Sequence, residues 1–186
     1  MDPTSPAGVA NVLGALALAV SDRAERAVEA RTGLASTSAA ALNALREFLD
    51  RPSVEDLRRV LGLTHSGTVR LVDRLAATGL VARAGGVDGR SRQVVLTDEG
   101  RRLAAEAARV RGEAVSGLLD GFDEAERAAL RTALGRLVGA VVATKDGGAW
   151  TCRFCHLAAC GRAEGHCPAA TAAAARYGPI PGVPPD

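Results

Sequence analysis

LTHSGTVRLVDRLAATGLVARAGGVDGRSRQVVLTDEGRRL, residues 63–103, changes its hydrophobic period twice. From Thr64 the apolar Val69, Val72, Leu75 and Ala76 fall at helical spacing, and Gly79 supplies the residue on which a helix closes most easily. The pattern then shortens. LVAR and RQVVL read as two short strands joined by the turn-rich AGGVDGRS, a β-hairpin. Thr97, followed by Asp98 and Glu99, is an N-cap with two acids near the positive end of the next helix.

The residues just before this stretch supply its partner. Ser53 caps a short helix, VEDLRRVL, with Glu55 and Asp56 in its first turn, and Gly62 ends it. Two short helices joined across a glycine-containing turn are a helix-turn-helix, and the hairpin is its candidate wing.

Further out, long helices flank this unit. Val9, Val12, Leu13, Leu16, Val20, Ala24 and Val28 recur at steps of three and four or their multiples, predicting a helix from Ser5 to about Arg31. A second helix runs from Ser38 to Leu49 and stops at Arg51-Pro52. Downstream, one helix extends from Thr97 to about Leu119. Another runs from Asp123 to about Lys145, striped by Leu130, Leu134, Leu137, Val138 and Val141.

With 47% hydrophobic and only 3% aromatic residues, the core is built from small aliphatic side chains, and the fold is mainly α. The net charge of +2 does not by itself point to a nucleic acid. Its placement does, since Arg70, Arg74, Arg83, Arg90, Arg92, Arg101 and Arg102 face only Asp73, Asp88, Asp98 and Glu99 over residues 64–102. No paired carboxylates, nucleophile with base, or phosphate loop is present, which excludes the common enzyme classes. MDPTSPAG lacks the basic flank of a signal peptide and VANVLGALALAV is short for a bilayer, so the expectation is a cytoplasmic protein with no membrane partner.

Residues 63–103 resemble the winged helix-turn-helix of the MarR family of bacterial transcriptional regulators. LVDRLAATGLVAR, the wing's Asp88-Gly89-Arg90, and Leu96-Thr97-Asp98-Glu99-Gly100 carry the likeness, and the flanking helices extend it to about Val9 to Lys145. It implies a homodimer that binds double-stranded DNA at a pseudo-palindromic operator, as a repressor, with a small-molecule effector in some members. Residues 1–35 would be a dimerisation helix, 36–103 the DNA-binding domain and 104–145 further dimerisation helices.

In that arrangement the start of the recognition helix enters the major groove. His65, Ser66 and Thr68 come near bases or phosphates, with Arg70 and Arg74 farther along. Arg90 at the wing tip suits a narrow minor groove, Asp88 orients it, and Arg83 and Arg92 suit phosphates. The alternative is a protein-interaction module that uses the winged helix as a scaffold and a zinc-stapled loop for docking.

All four cysteines lie in CRFCHLAACGRAEGHC. Cys152, Cys155, Cys160 and Cys167 are spaced C-x2-C-x4-C-x6-C, a four-thiolate pattern over residues 146–170. Zinc suits a closed tetrahedral site in a loop without a core. An iron-sulfur cluster takes the same ligands, and thiol redox switching needs no metal. His156 and His166, beside Cys155 and Cys167, are expected to face solvent. Residues 171–186 read as a flexible tail.

Overall fold

The computed structural model describes residues 2–85, 92–144 and 150–178. The chain opens with α1, Pro6–Thr32, whose Ser5 side chain accepts from the Gly8 amide at 3.2 Å and which closes on Gly33 at φ 68°. Helix α2, Ser36–Glu47, follows. Helix α3, Val54–Leu61, starts with a reciprocal capping box between Ser53 and Asp56 and ends on Gly62 in the left-handed region. Helix α4, His65–Ala77, is capped by Thr64, whose hydroxyl accepts from the Gly67 amide.

Strands β1, Val81–Gly85, and β2, Arg92–Leu96, pair antiparallel with Val81 opposite Leu96. Pro52 and Ser53 extend this sheet: the Val94 amide donates to the Pro52 carbonyl and Ser53 bridges Gln93. That third edge is not visible as a strand in the sequence, because Pro52 interrupts any strand pattern there.

Helix α5, Asp98–Ser116, is capped by Thr97 and runs into a short 3-10 turn. Helix α6, Glu124–Thr144, comes next. After a second 3-10 turn, Thr151–Phe154, the chain forms the single-turn α7, Leu157–Cys160, and α8, Pro168–Tyr177. Helix α8 corrects the expectation of a flexible tail from residue 171. Its Ala169, Ala170 and Ala173 are buried, and its Pro168 and Ala172 lie beside Gly135 and Gly139 of α6, so small side chains on both helices permit close approach.

Two cores result. The larger joins α1 to α5 with both strands, centred on Leu42, Leu57, Leu71, Val72 and Val94. The smaller gathers Val142, Cys152, Cys167 and the α8 alanines, with Phe48, Val138, Cys155 and Cys160 at its edge.

Helix α1 buries only Ala24 and Val28, both in its second half, and Val28 joins the larger core. Val9, Val12, Leu16 and Leu18 are exposed, as are Leu134, Leu137 and Val141 on α6. By length and composition α1 is also apolar enough to cross a membrane, with a mean hydropathy of 1.2 over its most apolar window.

Candidate nucleic-acid interface and cysteine segment

Helix α4 presents two unlike faces. Thr68, Leu71, Val72 and Leu75, at successive steps of three, one and three, point into the larger core. His65, Ser66, Arg70 and Arg74 are exposed. Thr68 therefore departs from the expected DNA contact: it is fully buried and its hydroxyl donates to the Thr64 carbonyl at 3.0 Å. The apolar stripe passes through Thr68 and Leu71, whereas Val69, expected inside, is only half-buried.

Pairing separates the exposed arginines. Arg83 on β1 donates to Asp73 of α4 at 2.6 Å, tying the wing's base to the recognition helix. Arg58 and Arg59 pair within α3, and Arg101, Arg102 and Arg109 within α5. Among the described residues, by contrast, neither Arg70 nor Arg74 has an acidic partner within 4.0 Å. Arg92 is exposed at the start of β2. Asp88 and Arg90 lie outside the described residues.

The order of elements around this face is shared with known proteins. A family model described as the MarR family matches residues 32–91. The likeness to the MarR family is one of sequence over residues 32–91 and of fold over most of the chain. A MarR family protein from Bacillus stearothermophilus is 26% identical, over 74% of this chain and 95% of its own, with a TM-score of 0.65. CouR from Rhodococcus jostii RHA1, solved bound to p-coumaroyl-CoA, is also 26% identical, over 69% and 90%, with a TM-score of 0.55. A Staphylococcus aureus MepR mutant bound to an oligodeoxyribonucleotide shares the fold at 16% identity, over 72% and 97%, with a TM-score of 0.53. No curated protein matches the chain in sequence. The MarR family comprises transcriptional regulators rather than enzymes.

The cysteine segment follows the MarR-like helices and folds back onto them. All four thiols are free. The Cys160 thiol donates to the Leu157 carbonyl at 3.2 Å. The neighbouring Cys155 side chain lowers the Cys152 thiol to about 7, which outweighs its burial, and Cys152, with burial, pushes Cys155 up. Among the described residues no group of three or more His, Cys, Asp or Glu side chains is already arranged around a common point as metal ligands. The thiols stand as two neighbouring pairs in one small core. His156 and His166 are exposed.

Asn43, which the sequence reading missed, anchors the segment. Buried in α2, it donates from one amide nitrogen to the Arg153 carbonyl at 3.1 Å and the Cys155 carbonyl at 3.0 Å. Its only sequence signal is a polar residue inside an alanine and leucine run. Nearby, the Leu157 amide donates to Glu47 at 2.9 Å, and Arg131 of α6 donates to the His166 carbonyl at 3.0 Å.

Phe154 carries the segment to the larger core. It packs against the larger core where α1, α2 and α5 converge, beside Val28, Ala39 and Ala107. The Arg111 guanidinium lies 4.3 Å from its ring centroid, and burial pushes the Arg111 pKa down. A small cavity remains at this junction, lined also by Asn43 and Ala108.

Proposed function

We propose that this protein is a sequence-specific DNA-binding transcriptional regulator that represses by occupying an operator as a homodimer. The observation that carries this reading is the exposed face of α4, where Arg70 and Arg74 stand without acidic partners among the described residues, while Arg58, Arg59, Arg101, Arg102 and Arg109 are paired. A guanidinium without an acidic partner on the exposed face of a recognition helix is suited to phosphates and to the guanine edge in the major groove. MepR, which shares the fold, is solved bound to an oligodeoxyribonucleotide, in keeping with this reading.

The dimer reading rests on the exposed apolar residues of α1 and α6, which occur at both ends of the MarR-like region. A two-fold partner would bury them and set two recognition helices about 34–36 Å apart, one turn of DNA. As for an effector, CouR is solved with p-coumaroyl-CoA, but in this chain Phe154 already fills the junction of α1, α2 and α5. A small molecule entering there must displace it.

Operator selection from random duplexes, followed by fluorescence anisotropy, tests the proposal. Binding should weaken steeply with salt. Arg70→Ala should cost about 1–3 kcal/mol, roughly tenfold to a hundredfold, if it reads a base. Thr68→Val should leave affinity unchanged, because that side chain faces the core. No binding to any duplex at low salt would refute DNA recognition and favour the protein-interaction module.

A further inference from the structure

We propose that Cys152, Cys155, Cys160 and Cys167 bind one zinc ion, which locks the C-terminal segment as a strap joining α2 to α6 and holds Phe154 in the larger core. The inference does not depend on DNA binding.

The donor set fits one soft ion. The four cysteines gather in one small core, Cys152 and Cys167 buried in it and Cys155 and Cys160 packed against it. A tetrahedral zinc with Zn–S bonds of about 2.3 Å places its sulfurs roughly 3.8 Å apart, so binding requires these side chains to turn toward a common centre. A polynuclear cluster inserts iron and sulfide between its cysteines and would drive the pairs apart. The backbone is already bent for convergence: Gly161 and Gly165 take φ of 65° and 75°, and the His166 amide closes the loop onto the Gly161 carbonyl at 2.8 Å. Thr151, next to Cys152, has a buried hydroxyl without a hydrogen-bond partner, a donor that a ligated thiolate can use.

The strap follows from where the ligands sit. Cys152 and Cys155 flank Phe154, and the carbonyls of Arg153 and Cys155 are held by Asn43 of α2. Cys167 is the N-cap of α8, which packs on α6. One ion bridging these pairs therefore fixes the α2 side of the segment to its α6 side. The segment has few large apolar side chains of its own, and a metal supplies the cross-link that its core lacks.

The test uses the full-length chain purified anaerobically. Elemental analysis should give one zinc per chain in a colourless protein, with no iron or sulfide. Ellman's reagent should find the four thiols protected, all four reactive after zinc is stripped by a chelator, and protection restored by added zinc. Stripping should also raise amide exchange across residues 150–177 and in α2 around Asn43. Cys155→Ser and Cys167→Ser should each lose the metal; if either fails to fold, chelation of the wild-type chain gives the same reading. Four reactive thiols in zinc-supplemented protein, iron with sulfide, or a disulfide detected by mass would each overturn the proposal. Zinc bound with unchanged exchange on its removal would overturn the strap.

Discussion

A Cβ at position 100 would sit 1.9 Å from the Leu80 carbonyl oxygen, closer than any real contact permits. The start of α5 and the turn before β1 are thus in backbone contact, and Thr97 seals the junction by donating to the Gly79 and Leu80 carbonyls. Gly100→Ala must push these elements apart, and should lower unfolding free energy by about 1–3 kcal/mol, read as a lower denaturant midpoint. Asn43 is a second sensitive point. Asn43→Ala leaves two buried carbonyls of the cysteine segment without their donor, and should cost about 1–3 kcal/mol in the same measurement, with amide exchange rising first in residues 150–160.

Among the elements, α1 and α5 are tied by charge as well as by apolar contact. Glu106 accepts from Arg31 of α1 and from Arg109 of its own helix. The hydrogen bond from Arg109, then that from Arg31, lowers its pKa from 4.5 to about 2. A carboxylate with a depressed folded pKa stabilises above its unfolded value, and that contribution is lost as pH falls from 4.5 toward 2. Glu106→Gln should therefore be less stable than the wild-type chain at neutral pH. The difference in thermal midpoint should shrink as pH drops through this window. A gap that is independent of pH would assign the contact no electrostatic role.

The elements also mark how far the sequence could be read. Ser5, Ser53, Thr64 and Thr97 cap helices as their chemistry requires, since a capping hydroxyl needs only neighbours within three residues. Thr68 was misread because a hydroxyl at a helix start looks like a ligand for DNA, and only the position of the stripe shows that it faces the core. Helix α8 was hidden for a different reason: an alanine-rich run has no amphipathic contrast, and its partner glycines lie some thirty residues earlier on α6. Asn43 and Phe154 owe their roles to long-range packing, which local pattern does not encode.

For the whole molecule, the proposed homodimer rests on the exposed leucines and valines of α1 and α6. The chain should run at twice its 19.0 kDa in light scattering. Leu16→Glu combined with Leu137→Glu should give a monomer, because burying an unpaired carboxylate in such an interface costs several kcal/mol. A wild-type monomer at micromolar concentration would contradict the two-fold arrangement and leave the apolar surface of α1 to a lipid bilayer, tested by co-sedimentation with vesicles.

Phe154 also has a kinetic and thermodynamic meaning as an occupant attached to its own receptor. A group tethered by a short segment competes at an effective concentration in roughly the millimolar range, whatever the amount of protein in the cell. Any freely diffusing aromatic compound seeking the junction of α1, α2 and α5 must beat that standing competitor, so its measured affinity would be weaker than its intrinsic fit. Phe154→Ala would remove the competitor, and the junction would then behave as an open receptor whose occupancy follows ligand concentration alone.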